Sequence, residues 1–203
     1  EALKKWWKEN GASLLLGLGI GVAALLGWRQ YLVYQTDHSA EASDLFQAVQ
    51  TQVARNQLDD AHIQKADIIR NDYSDTPYAA LVSLAQAKYE YDKGSAETAI
   101  MHLRWASQNA TEADIQHVAN LRLARLLIAE QNYDEAETLL LAQHPAGFDA
   151  GYEELKGDLY VARGEIGQAR TAYDKAIKAA NGSPSRWLRL KRQDLGSADY
   201  GQS

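Results

Sequence analysis

The residues in this chain best suited to metal or acid–base chemistry are its five histidines, His38, His62, His102, His117 and His144. Such chemistry needs groups that converge, as H-E-x-x-H achieves by placing two imidazoles one helical turn apart. That motif does not occur, and no two histidines stand four residues apart. Packing or surface exposure is their expected role. Cysteine is absent, which removes thiolate ligation, thiol catalysis and disulfides. Gly17-Leu-Gly-Ile-Gly21 lacks the glycine spacing of a dinucleotide loop and lies in an apolar run with no strand before it. No G-x-S-x-G and no P-loop is present. Asp59-Asp60 and Glu153-Glu154 are adjacent in sequence. Helix neighbours point about 100° apart, so solvated faces are expected rather than paired carboxylates. The chain is expected to be no enzyme, with no cofactor, no metal and no small-molecule substrate.

What remains is recognition by surfaces, and the elements that carry them come first. No residue between Asn10 and Trp28 is charged. As a helix this run is roughly 28 Å long, near the bilayer's hydrocarbon thickness of about 30 Å. Trp6 and Trp7 precede it; Trp28, Tyr31 and Tyr34 follow it. Aromatic rings favour the headgroup level, so the lipid bilayer is the expected surrounding and a buried core helix the bland alternative. Lys4, Lys5 and Lys8 lie before the run and only Arg29 close behind it. This predicts a single pass with the N-terminus cytoplasmic and the remainder across the bacterial inner membrane, in the periplasm. A cleaved signal peptide is the rival; the nearest A-x-A, Ala40-Glu41-Ala42, lies well past the run, which favours an uncleaved anchor. No methionine opens the sequence, so residues are expected to precede Glu1.

Net charge is −6; residues 1–9 contribute +1 and Arg29 another +1, which leaves −8 for residues 30–203. Nucleic acid is not an expected partner of so acidic a domain. Alanine, leucine and glutamine abound and prolines number three, a composition of helices. The anchor helix is expected to continue to about residue 56, with a second helix over 58–70. Thr76-Pro77 signals the start of a helix ending at Gly94, and Ser95 the next, to 108. Thr111 with Asp114, a near match to a capping box, opens one to 131. Helices follow over 134–142, 149–163 and 166–180. Ser183-Pro184 starts the last, ending at Leu195, and residues 196–203 are expected to fray.

These helices pair, and the pairs repeat. Ala99, Ala136 and Ala169 align at spacings of 37 and 33 residues. Twelve residues before each stands Ala87, Ala124 or Gly157, and three beyond those Glu90, Leu127 or Tyr160. Small residues at two points of a hairpin let its helices approach closely, and a period near 34 is that of tetratricopeptide repeats. Residues 40–70 read as a degenerate fourth pair. The predicted fold is therefore all-α: residues 1–9 cytoplasmic, 10–34 a transmembrane helix with interfacial ends, and 35–203 a helical-repeat solenoid of three to four hairpins with a C-terminal capping helix.

Three surfaces are then candidate sites. Gly17 and Gly21, with Ala24 on nearly the same face, would admit a second membrane helix; a glycine-rich span without a specific partner is the plain reading. The first helix of each pair lines the concave side of such a stack. This groups Leu84, Lys88 and Tyr91, then Leu121, Arg125 and Ile128, then Glu154, Asp158 and Val161 as a groove for a partner, with the leucines as core being the alternative. In the last helix Trp187, Leu188 and Leu195 are expected to cover the final repeat. That leaves Arg189 and Arg192 outward, either as a solvating cap or as a docking patch for an acidic surface.

Gly27-Trp28-Arg29 at the end of the span, and NLRLAR at residues 120–125 within the repeats, complete a pattern that resembles the YfgM family over nearly the whole chain. The resemblance implies an inner-membrane-anchored periplasmic repeat protein associated with the SecYEG translocon and with the membrane-anchored chaperone PpiD. Its function would be that of a tethered, non-enzymatic scaffold. An adaptor in another envelope-assembly process, with the same anchor and repeats, is the alternative.

Overall fold

The computed structural model describes residues 1–196, apart from the side chains of residues 2, 3, 5, 7 and 9–14. The expected fraying of residues 197–203 lies outside this range. The described residues form α-helices and one short 3-10 turn. In order they are α1 (Ala2–Ala54), α2 (Asp60–Asp72), α3 (Pro77–Asp92), α4 (Ala96–Asn109), α5 (Ala113–Ala129), α6 (Tyr133–Leu141), the turn Ala146–Phe148, α7 (Asp149–Ala162), α8 (Ile166–Ala179) and α9 (Arg186–Asp194). The chain divides into two compact units, Glu1–Asp44 and Leu45–Ser203.

The first unit is α1 up to Asp44. Leu15, Leu16, Leu18, Ile20, Leu25 and Leu26 are all more than half exposed. An apolar helix with its side chains turned outward is not the core helix of a soluble domain; it meets the length and composition needed to cross a membrane.

In the second unit, neighbouring helices pair as α3 with α4, α5 with α6 and α7 with α8. The aligned small residues sit at the crossings. Ala99, Ala136 and Ala169 are fully buried, as are Ala124 and, nearly so, Ala87. Gly157 marks the tightest crossing. A Cβ there would stand 2.3 Å from two ring atoms of Tyr173, so a methyl would displace a buried ring. The turns inside the hairpins also repeat. The amides of Ser95, Asn132 and Glu165 donate to the carbonyls of Glu90, Leu127 and Tyr160, each at 2.8 Å. The residue before each donor, Gly94, Gln131 or Gly164, has positive φ, as this helix ending requires. Gln57 donates to the Gln52 carbonyl at 2.9 Å with Asn56 at positive φ. The end of α1 and α2 thus form the fourth, degenerate hairpin. Val49, Leu58, Ala66 and Ile69 from this pair share a core cluster with Ala79, Val82 and Tyr89 of α3.

Three helix starts differ from the sequence reading. α2 begins at Asp60 rather than at residue 58, because Asp59 caps it by accepting from the His62 amide at 3.0 Å. Thr111 does not cap α5; Glu112 holds the cap position without a side-chain bond. The α4–α5 connection is tied instead by Gln116, whose amide donates to the Ser107 carbonyl at 2.9 Å. The last helix begins two residues later than expected, because the Ser185 hydroxyl, not that of Ser183, accepts from the Leu188 amide at 3.0 Å. Asn181 and Gly182, both at positive φ, close α8 first.

One polar knot joins three helices. Arg70 of α2 donates to Gln86 of α3 at 2.8 Å and faces His102 Nδ1 of α4 at 3.0 Å. Arg70 also pairs with Asp67. Burial and then the Arg70 charge push the His102 pKa down to about 4. The unfolded chain protonates a histidine near 6.5, the folded chain only near 4, so this contribution to stability is complete above about 6.5. It is lost as pH falls from there through 4, by at most about 3 kcal/mol. Thermal unfolding at about pH 7 and pH 4.5 should show the loss. His102→Gln, which keeps an acceptor for Arg70 but cannot titrate, should flatten it. An equal drop in both proteins would remove His102 as the source.

Candidate partner-binding groove

The first helices of successive hairpins pack side by side, α3 against α5 and α5 against α7. Four of the predicted groove residues line one cavity of about 290 Å³: Leu84, Lys88 and Tyr91 of α3 and Arg125 of α5. Ala87, Leu103, Leu126 and Ala129 extend its apolar lining, and Arg122 adds a third cation. Leu84 is buried and forms part of the floor, whereas Tyr91 is 55% exposed on its rim. Lys88 pairs with Asp92 one turn along α3.

A second cavity, of about 670 Å³, adjoins the first and shares Leu84, Lys88 and Arg122 with it. Its far wall is Phe46, Gln50 and Val53 at the end of α1, faced by Ile115 and Val118 of α5. Sequence reasoning missed this wall and Arg122. Both had a signal. The fourth hairpin precedes the next by 38 residues, read from Asn56 to Gly94, and that shift carries Lys88 and Tyr91 onto Gln50 and Val53. Arg122 stands one helical turn before Arg125, hence on the same face.

The other five predicted positions lie elsewhere. Leu121 and Ile128 are half-buried and pack on the central core. The Leu121 methyl lies 3.1 Å from where a Cβ on Gly151 of α7 would stand, so it fills the α5–α7 seam. Val161 is 39% exposed at the end of α7. Glu154 and Asp158 are taken by the last helix: Lys191 of α9 donates to both at 2.8 Å. Asp158 also accepts from the Tyr173 hydroxyl at 2.7 Å. Burial alone would lower the Lys191 pKa, but hydrogen bonds to Asp158 and Glu154 outweigh it and raise the value. Burial, then the Asp158 hydrogen bond, raises that of Tyr173.

Charge thus helps to hold the capping helix. Arg192 forms an ion pair with Asp174 at 2.8 Å, and Arg170 of α8 donates to the Leu195 carbonyl. Leu188 is buried against Tyr173 and Ala176, and Leu195 packs beside it, both as expected. Trp187, expected to cover the last repeat, is 73% exposed. It is one residue, about 100°, from Leu188, and on a nine-residue helix only one of them can face α8. Arg189 is exposed. Gly17, Gly21 and Ala24 are exposed on α1, with nothing within 4 Å of a Cβ added at either glycine.

Comparison with known proteins places this architecture. The tetratricopeptide repeat-like domain family matches residues 4–197, the span included. A protein of Escherichia coli strain K12, described as an ancillary SecYEG translocon subunit, is 31% identical over 88% of this chain and 85% of its own length. The chain belongs to the YfgM family. Relatives with the same description occur in Haemophilus influenzae, 26% identical over 95% of this chain and 94% of theirs, and in Neisseria gonorrhoeae, 28% identical over 86% and 84%. No solved structure matches. The family consists of repeat-domain subunits, not of enzymes, and the chain is membrane-associated.

Lys191→Met should lower the melting temperature by several degrees. It leaves two half-buried carboxylates without their cation, a change worth on the order of 1–3 kcal/mol. Arg189→Glu should leave the melting temperature within about a degree. Equal shifts in circular-dichroism melts would mean that the Lys191 bridge does not hold the cap.

Proposed function

We propose that this chain is a non-enzymatic scaffold tethered beside the SecYEG translocon, with a short cytoplasmic N-terminus, one uncleaved membrane helix and a periplasmic repeat domain. Its groove holds a segment of a translocon-associated partner, such as a PpiD-like membrane-anchored chaperone, close to the membrane. The supporting observation is the pair of adjoining cavities along α1, α3 and α5, in a chain whose relatives are described as ancillary translocon subunits. Tethering raises the effective concentration of a partner, so a weak groove suffices. Gly17, Gly21 and Ala24 give the span a flat face against a neighbouring membrane helix.

Photocrosslinking in intact membranes tests this reading. A photoreactive residue at Tyr91 or Arg125 should capture a translocon subunit or a translocon-bound chaperone, whereas one at Met101, exposed on the second helix of its hairpin, should capture much less. Capture of cell-wall or outer-membrane assembly proteins alone from Tyr91 and Arg125 would replace the translocon reading with a different envelope adaptor.

A further inference from the structure

The arginines of the repeat domain fall into two groups. Arg70, Arg104, Arg163 and Arg192 are in ion pairs that tie one helix to the next or brace a helix internally, and Arg170 binds a backbone carbonyl. Arg55, Arg186 and Arg189 do neither, and nor do Arg122 and Arg125. The last two stand one turn apart on α5, both exposed, and among the described residues neither has a hydrogen bond or ion pair. Both line the smaller cavity, whose lining holds no carboxylate; Lys88 faces them from α3 and is matched by Asp92 just outside it. Residues 30–203 carry −8 in all. Two unmatched cations gathered in one concavity of so acidic a domain make a local positive field, strengthened by the low-dielectric floor of Leu84, Leu103 and Leu126.

We propose that the groove takes an acidic, amphipathic peptide segment of a partner protein, its carboxylates meeting Arg122 and Arg125 and an apolar side chain entering between Leu84, Leu126 and Tyr91. This rests on the groove's role in the proposed function and adds the chemistry of its ligand. The two parts of the cavity match the two parts of such a segment. Guanidinium groups bind carboxylates with paired hydrogen bonds. The floor has room for an apolar side chain, at the lower end of the volumes of known ligand pockets. The larger cavity continues the floor towards Phe46 and Val53, with Asp92 and Asp114 also in its lining, so it suits the apolar part of the segment while the carboxylates stay at Arg122 and Arg125. A flat bilayer surface cannot reach into a concave site of this kind, which favours a peptide over headgroups.

The test uses the full chain in mild detergent and a fluorescent peptide of about fifteen residues that alternates leucine and glutamate, with glutamine and lysine counterparts. The glutamate peptide should bind, and should weaken as salt rises. Arg122→Gln with Arg125→Gln should weaken it by about tenfold or more, and Arg122→Glu with Arg125→Glu further, with melting temperatures near that of the parent because neither arginine has an internal partner to lose. The lysine peptide should not bind. Equal binding of the glutamine peptide, or an unchanged affinity in the double variants, overturns the proposal. So does displacement of the peptide by short-chain anionic lipid but not by its zwitterionic counterpart, which would assign the arginines to headgroups. If no peptide binds while Tyr91 and Arg125 still crosslink a translocon component in membranes, the ligand chemistry is wrong and the scaffold role stands. If the crosslinks are also absent, both fail.

Discussion

The whole repeat domain depends on how closely two helices of a hairpin can approach. At the α7–α8 crossing the Tyr173 ring occupies the space in which a side chain on Gly157 would lie, and buried alanines do the same work in the other hairpins. Close crossing draws each pair into a thin two-helix unit that cannot bury its apolar faces alone. Stacking resolves this, and one core cluster runs from Ala80 on α3 to Leu159 on α7. The geometry that closes the core leaves the faces of α3 and α5, with the end of α1, as a lined depression. The groove is thus a consequence of the packing rule, and its chemistry depends on which side chains occupy the remaining face.

Charge is distributed with the same logic. At the seams between helices, cations are matched: Arg104 with Glu135, Arg163 with Glu137 and Asp134, Lys191 with Glu154 and Asp158. The exposed pairs contribute little each. The Lys191 bridge is half-buried and has the Tyr173 hydroxyl as a further donor to Asp158, so its removal exposes an imbalance. Under this arrangement the last helix is a lid on α7 and α8 held by these ions together with Leu188 and Leu195, and Trp187 can face solvent without undoing the cap. Arg122 and Arg125, away from these seams and unmatched, line the groove instead.

Much of this was legible in the sequence because it follows from local periodicity. Alanine and glycine at fixed offsets gave the hairpins, and the uncharged run with aromatic ends gave the span. Gly94 and Gly164 announced two of the inner turns; Gln131, at φ 63 in the equivalent position, could not be recognised from its residue type. The candidate site was legible only in part. Leu84, Lys88, Tyr91 and Arg125 share a cavity because they lie on consecutive first helices in the expected register. Glu154 and Asp158 follow that register too, but the reach of Lys191 from a helix more than thirty residues away is set by tertiary packing, which residue spacing does not encode. The end of α1 was overlooked because its repeat is degenerate: only the turn at Asn56 reveals its phase.

In the proposed topology the repeat stack presents its α3–α5 face to a partner on the far side of the membrane from the chain's basic N-terminus. The chain contains no cysteine, so Tyr91→Cys places one thiol on the rim of that face. The decisive measurement is its rate of labelling by a membrane-impermeant maleimide in cells whose outer membrane alone has been permeabilised. The thiol should label readily with the inner membrane intact, and more slowly when translocon partners are abundant than when they are depleted. A thiol that reacts only after the inner membrane is opened, or at one rate regardless of partners, would contradict this arrangement.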